Sequence, residues 1–332
     1  MMTRTVADGR ERVRIGLSRL ASEQAPDGGF QVVVMTGGPG FPSGALSSPF
    51  VTGLVLEALG RLGTEFDTAL LVQRGLAYLR AEMEGGGLWR FYRCVPPLRP
   101  DLDSTSAALR ALRSEGVALD FGTAADRLLA SRSMSGRFRT WIEAGPTLRE
   151  RVRAGPRALL RRRFNPVDPV VNANVLAFLG EMGRIAPAAE RFVLRWVQSA
   201  RGLGPSPYYL YPECLAYAVS KSAELRPPGD ALRSATASLA LRLQDGLPDP
   251  ARNQPFLLAR RLAAALRLGL ESPGLAAAID TLASYQQSDG TWPWGAVWTA
   301  VRWAPGAPRP LLGSPALETA IALEVLAQCP SP

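Results

Sequence analysis

The sequence predicts an all-α protein, a single (α/α)6 toroid of six helical hairpins spanning residues 1–332. Three observations carry this reading. Apolar residues recur at helical spacing in twelve segments, near 11–23, 47–62, 66–83, 103–115, 122–132, 168–182, 186–200, 212–225, 229–244, 253–268, 272–287 and 314–328. The segments alternate between amphipathic, charge-bearing stretches and stretches poor in charge and rich in Ala and Leu. Five of the six apolar segments open on a polar residue followed by proline, the residue preorganised for a helix's first turn: Ser48-Pro49, Asp168-Pro169, Tyr211-Pro212, Gln254-Pro255 and Ser314-Pro315. A hairpin repeated every roughly forty to sixty residues cannot bury its apolar face alone, so the hairpins must stack or close on one another. Six suit a closed ring, with an open solenoid as the rival.

In chain order, the odd segments read as outer helices. Several run into Gly-aromatic reversal loops: QAPDGGF (24–30), EGGGLWRFY (84–92), RGLGPSPYY (201–209) and QSDGTWPW (287–294). The even segments, such as FVTGLVLEALG (50–60), VVNANVLAFLG (170–180) and ALETAIALEVLA (316–327), read as inner helices covered on more sides. The second of them departs from the polar-Pro pattern and opens Asp101-Leu102-Asp103-Ser104-Thr105 directly after Pro100. A stretch at about 134–165 interrupts the alternation as a basic insertion.

Composition narrows the chemistry. Hydrophobic residues make up 47% of the chain and charged residues 20%, enough apolar surface for a large core. The formal net charge of +9 is almost entirely arginine, because Lys221 is the sole lysine. No RNA-binding signature accompanies it, which sets nucleic acid aside and favours a phosphate or lipid surface. The arginine-rich stretch TLRERVRAGPRALLRRRF (147–164), with Leu148, Val152, Leu159, Leu160 and Phe164 on an apolar edge, is a candidate contact for an anionic membrane. There is no histidine, so Ser-His-Asp and Cys-His nucleophile systems and zinc sites of the usual Cys/His kinds are excluded. Cys94, Cys214 and Cys329 are scattered and odd in number, as expected of reduced thiols in a cytosolic setting. The N-terminus lacks an apolar h-region and no run of eighteen apolar residues occurs, which points to a cytoplasmic protein, peripheral to a membrane at most.

Parallel inner helices would bring their N-termini to one mouth. That mouth would collect Ser48 and Thr52, Asp101 and Asp103, Asp168 and Asn172, Tyr211 and Glu213, Asn253 and Gln254, and Ser314 and Glu318. Pairs at i and i+4 share a helix face, whereas Asn172 and Asn174 do not, so at most one of these two asparagines should face the cavity. Ser, Asp and Asn at these positions also suit plain N-capping. Glu181 and Glu224, at helix C-termini, should lie about 20 Å away at the opposite end.

The QSDGTWPW turn, the SPALETAIALEVL helix and PDLDSTSAALRAL together resemble the squalene–hopene cyclase and class II terpene cyclase superfamily, along the whole chain as repeats. Asp101-Leu102-Asp103-Ser104-Thr105 is similar to that family's DxDD(T/S) motif, in which the middle aspartate protonates an alkene or epoxide. The resemblance thus implies protonation-initiated cyclisation of an isoprenoid substrate with Asp103 as the general acid, Asp101 beside it, and no metal or cofactor. The chain departs from the pattern in having Ser104 at the final aspartate position, no histidine partner for the acid, and one barrel where class II cyclases usually enclose substrate between two. A lone barrel must use its own lumen, a second barrel subunit or a further copy of itself. Burial and like charge would raise the Asp103 pKa, while the helix N-terminus would oppose this. Ser104 and Thr105, together with Trp89, Phe91, Tyr92, Tyr208, Tyr211, Trp292 and Trp294, would contact substrate, the aromatic rings stabilising cationic intermediates. Arg90, Arg93 and Arg99 would rim the opening and could hold an anion. Two other readings stand beside this one: a non-catalytic prenyl-lipid binder on the same fold, and an (α/α)6 carbohydrate enzyme pairing Asp103 with Asp168 or Glu213.

Overall fold

The computed structural model describes residues 3–36, 44–93, 98–142, 165–245, 254–271, 274–300 and 309–328. Asn253, Cys94, Cys329 and the basic stretch 147–164 lie outside them. Twelve α-helices occur among the described residues: α1 (Thr3–Glu23), α2 (Pro49–Leu59), α3 (Ala69–Glu82), α4 (Leu102–Ser114), α5 (Phe121–Ala130), α6 (Pro169–Glu181), α7 (Pro187–Gln198), α8 (Pro212–Ala223), α9 (Ala231–Asp245), α10 (Pro255–Arg267), α11 (Leu275–Ser284) and α12 (Pro315–Ala327). The even-numbered helices pack in sequence, α2 on α4, α4 on α6, and so on to α12, which returns to α2 and closes the ring. The odd-numbered helices form the outer layer, each against neighbouring inner helices. This is the (α/α)6 toroid that the alternating pattern predicts.

The inner helices are buried along nearly their whole length because they touch protein on every side. Where α2 crosses α4, the Gly53 Cα sits so close that a Cβ would come within 2.7 Å of the Ala107 carbonyl carbon. The reversal loops tie hairpins together. The Gln24 amide donates to the carbonyls of Gly28 and Leu71, and the Gln286 amide donates to the carbonyl of Arg12, joining the last loop to the first helix. Gly28 and Gly290 adopt φ of 88° and 89°, a left-handed conformation that suits glycine in both turns.

The loops at the N-terminal mouth also form a small sheet that helical periodicity does not reveal. Strands β1 (Gln31–Thr36), β2 (Gly44–Ser47), β3 (Trp298–Thr299) and β4 (Leu311–Gly313) pair antiparallel in the order β2-β1-β4-β3. QVVVMT is β-branched and suits a strand, but its partner comes from the far end of the chain.

At the opposite end, each inner helix contributes one or two charged side chains to a floor. Glu57 of α2 accepts from Lys221 of α8 and Arg110 of α4, and Arg110 also reaches Glu181 of α6 at 2.7 Å. Arg267 of α10 bonds Glu324 of α12 at 2.7 Å, while Arg61, just beyond α2, pairs with Glu224 beyond α8. Four cations thus face four carboxylates, and Glu181 and Glu224 stand at the helix C-termini, where the parallel arrangement puts them.

Ring closure at the α2–α4 crossing makes a direct prediction. Gly53→Ala should cost about 1–3 kcal/mol, because backbone rather than a mobile side chain must yield. Thermal and urea denaturation of the full chain will show the loss; a melting temperature equal to wild type would mean that the crossing is looser than the structure indicates.

Candidate active site

Position in the inner helix decides what a side chain faces. Counting from each N-cap, the lumen receives the residues two or three, six or seven, and ten positions later. They include Phe50 and Leu54 of α2, Asn174 of α6, Cys214, Tyr217 and Lys221 of α8, Arg260 of α10, and Leu317 and Ile321 of α12. With Tyr209 and Trp298 from the mouth loops they line a narrow cleft. Asp103, two residues past its cap, points into the same region of the ring.

The Asp103 carboxyl is buried, with 7% exposure, and no ion pair joins it to a cation among the described residues, although the Lys221 charge reaches it and lowers its pKa. Its Oδ1 accepts from Asn174 Nδ2 at 2.9 Å, and its Oδ2 shares a short hydrogen bond with the Tyr209 hydroxyl. Burial pushes its pKa up to about 7; the bonds from Tyr209 and Asn174 pull it down, and the nearby Asp168 charge adds to the rise. Tyr209 reaches this place because its strand-like segment bridges Trp298: Leu210 N donates to Val297 O at 3.1 Å, and Thr299 N donates to Tyr208 O at 2.9 Å. The phenol, buried beside an acid, is itself raised well above its usual pKa.

Asp101 has an equally elevated pKa of about 7, with burial the largest cause, but its oxygens are occupied. Oδ1 caps α4 by accepting from Ser104 N at 2.7 Å, and Oδ2 accepts from Ser104 Oγ at 2.9 Å. Ser104 therefore serves the cap. Asp168 is likewise engaged, receiving Val170 N and Val171 N on Oδ1 and Ser206 Oγ and Tyr208 N on Oδ2. Burial raises its pKa against these four donors.

Several residues expected at the mouth are placed elsewhere. Side chains four positions past the cap are turned about 200° from those at plus two and plus six, so they face the surrounding loops. Thr52, Thr105 and Asn172 use this position alike: each accepts, respectively, from the backbone N–H of Phe30, Trp89 and Phe138 in a reversal loop. Asn174, not Asn172, is the asparagine that meets Asp103. Trp89 and Trp292 pack against outer helices, their indole N–H groups donating to Leu79 O and Leu282 O. Tyr92 is buried edge-on against Phe91, Tyr211 is half-buried edge-on against Phe256, and Trp294 is half-buried.

Glu213 is bound to Arg261 at 2.6 Å and Glu318 is bidentate to Arg260, so neither carboxylate is free for acid or base work. Asp168, which a carbohydrate enzyme could pair with Asp103, lies near enough for its charge to act on Asp103, with its own oxygens held by four donors. The expected arginine rim does not gather on the acid either: Arg90 is held by Glu84 and Leu98 O, Arg93 by Ala81 O and Glu82, and Arg99 is exposed.

Phe50 and Trp298 line the cleft edge to face, their ring centroids 5.7 Å apart, and Phe91 adjoins both, tilted against Phe50 and edge-on to Trp298. Tyr217 also borders it, but its ring lies under Lys221 at 4.8 Å and Arg267 at 4.9 Å.

No family model and no curated protein matches the chain. Among solved structures it is similar to the type II terpene cyclase MstE from Scytonema, at 16% identity and TM-score 0.74 over 97% of this chain and 98% of that one. A variant of that cyclase in complex with geranylgeranyl dihydroxybenzoate as substrate matches at 16% identity and TM-score 0.73 over 98% of both chains. An unsaturated glucuronyl hydrolase specific for heparin matches more distantly, at 14% identity and TM-score 0.56 over 97% of this chain and 96% of that one. At such identities the likeness establishes the fold: this chain has the architecture of the type II terpene cyclases. No helix among the described residues is long and apolar enough to cross a membrane.

Two predictions follow from these partners. Asp101 and Asp103 bind protons more tightly folded than unfolded, so the stability they contribute is complete below about pH 4 and is lost as pH rises through about 7. Asp103→Asn should flatten that fall between pH 4 and 8 in melting curves; an unchanged slope would show that Asp103 is ionised throughout. Glu318→Ala should destabilise by about 3–5 kcal/mol, because it strands the buried Arg260 guanidinium, and urea unfolding at pH 7 measures this directly.

Proposed function

We propose that the protein is a class II type terpene cyclase in which one barrel, residues 1–332, folds an isoprenoid in its own lumen and Asp103 starts the reaction as general acid. The observation that carries this reading is a buried carboxyl with no cation bonded to it among the described residues, held by two neutral groups beside an aromatic-lined cleft.

Asn174 can only donate to Oδ1, whereas the Tyr209 hydroxyl on Oδ2 can donate to the carboxylate or turn to accept from the acid, so Oδ2 is the oxygen that carries the acidic proton. The proton passes from Oδ2 to the terminal carbon of an alkene, or to the oxygen of an epoxide. The acid O–H bond breaks; on the alkene the new C–H bond takes the π pair and leaves a tertiary cation, and on the epoxide the new O–H bond is matched by cleavage of a ring C–O bond whose electron pair stays on the oxygen. Successive alkenes of the same molecule attack in turn, each closing a C–C bond, and loss of a proton from carbon ends the sequence. Nothing is oxidised or reduced and the product is an isomer of the substrate. Tyr209 and Asn174 then stabilise the Asp103 carboxylate until it is reprotonated, and Phe50 and Trp298 offer π faces to the migrating charge. The type II cyclase fold supports this assignment, and the isoprenoid bound by the Scytonema enzyme makes a prenyl chain the natural substrate class to test.

Asp103→Asn should abolish product formation, by at least about 10³-fold, while the melting temperature stays at or above wild type, since the amide can still bond Asn174 and Tyr209. Mass spectrometry of extracts after incubation with prenyl substrates is the readout. Near-native product from this variant overturns the acid assignment, and substrate retention without turnover in wild type would make the protein a prenyl-lipid binder. Activity should be full below about pH 7 and fall roughly tenfold per unit above it, because the acid must hold its proton. Tyr209→Phe removes a hydrogen bond that lowers the Asp103 pKa, so its falling limb should shift to higher pH; a shift to lower pH contradicts the role given to Tyr209.

A further inference from the structure

We infer that the lumen is built for an uncharged isoprenoid and discriminates against prenyl diphosphates, a specificity that rests on the cyclase reading and follows from how its cations are paired. Two of the cleft's lining residues are cationic, Arg260 and Lys221. At first sight they make a binding site for an anionic head group. Each is already matched. Arg260 is fully engaged by Glu318, both buried, in a two-pronged bond, and it also donates to Phe256 O at 2.9 Å. Lys221 is 1% exposed and bound to Glu57, which is itself shared with Arg110. Behind them Arg261 is held by Glu213, and Arg267 by Glu324.

A diphosphate entering this space would have to draw Lys221 or Arg260 away from its carboxylate. That carboxylate would then remain buried without a partner, which is among the costliest arrangements in a protein interior. Keeping the existing pairs instead would bury several phosphate charges unmatched. Burial already lowers the Lys221 pKa to about 8, a sign that this part of the lumen resists net charge rather than soliciting it. An uncharged chain meets neither obstacle.

The depth of the pairs fixes the orientation in which this matters. Lys221 lies ten residues beyond its N-cap and Asp103 two beyond its own, so they are separated by about 12 Å along the ring axis. A prenyl chain with its reacting end at Asp103 and its body in the cleft brings its other end to Lys221, Tyr217 and Arg260. A hydroxyl, an arene or a bare hydrocarbon terminus can lie there while every ion pair stays intact. The same balance spares the cationic intermediates, since the lysine and the arginine that line the cleft among the described residues are already paired.

The experiment compares geranylgeraniol with geranylgeranyl diphosphate on the wild-type full chain, following binding by calorimetry and product by mass spectrometry. The alcohol should bind at least about tenfold more tightly and should be the form that competes for the lumen. Glu318→Gln and, separately, Glu57→Gln release Arg260 and Lys221, and whichever variant melts cooperatively should gain about tenfold or more in diphosphate affinity. Equal or tighter wild-type binding of the diphosphate overturns the inference. Cyclisation of the diphosphate overturns it too, while leaving Asp103 as the acid. Preferred binding of the alcohol without any product upholds the specificity and removes the cyclase reading. Binding of neither ligand removes both.

Discussion

A closed ring of helices allows no solvated side to its inner members, and that constraint governs the rest of the molecule. Each inner helix is flanked by two neighbours, backed by outer helices and faced by the lumen, so a charge placed on it must find its counter-charge inside the protein. The floor shows the outcome, with Glu57, Arg110, Lys221, Arg267 and Glu324 drawn from five different inner helices and tied across the ring axis. The same rule holds halfway up, where Arg260 meets Glu318 and Arg261 meets Glu213 across helix seams. Against this background Asp103 departs from the rule, as the cap residues Asp101 and Asp168 do. It is a buried carboxyl answered by an amide and a phenol, and burial raises its pKa to about 7.

Holding that exception in place requires chain segments far apart in sequence. Asn174 comes from the next inner helix, and Tyr209 from the loop two hairpins further on, steadied by its pairing with Trp298 near the chain's end. The mouth sheet then connects Trp298 through β4 to β1, the first reversal loop. Acid, hydrogen-bond partners and aromatic wall are thus fixed by closure of the ring itself. A local loop could not do this, because each group approaches the lumen from a different direction.

The twelve helices and their division into inner and outer layers are legible in sequence because they follow from apolar period and charge density. Closure is less so, because six hairpins with covered inner faces suit a ring or an open solenoid, and it is the packing of α12 on α2 that decides between them. The site is only partly so. Asp103 stands out by motif, but spacing at i and i+4 draws Thr52 and Asn172 toward the mouth, and in the folded ring these side chains satisfy loop N–H groups instead. The lumen positions are two and six past the cap, so of the two asparagines, of which at most one could face the cavity, it is Asn174 that does. Tyr209 sits beside an expected Tyr208, and the one-residue difference is set by strand pairing with Trp298, a partner about ninety residues away. Trp89 and Trp292 are conspicuous aromatics that pack loops, whereas Phe50 inside an ordinary apolar helix faces the cleft. Lys221 and Arg260 look incidental in segments poor in charge, and their meaning depends on carboxylates contributed by other hairpins.

Asp101 and Asp103 make a last point about what identifies an acid. Both are buried and both have their pKa raised to about 7 by the same dominant cause, so proton affinity alone does not separate them. Geometry does. Asp101 occupies the cap position, where its two oxygens are consumed by Ser104 N and Ser104 Oγ, and transfer of its proton would have to break the start of α4. Asp103, two residues later, is turned by the helix into the ring, and its partners are side chains that can stay in place as the carboxyl changes from acid to carboxylate. The serine that follows is accounted for by the same geometry. Ser104 offers the Asp101 cap a second donor from its hydroxyl, where another carboxylate would set a like charge against both aspartates and make neither easier to ionise. The two aspartates of the motif therefore differ in place, one beginning the helix with both oxygens bonded to Ser104 and the other turned by the helix toward the lumen.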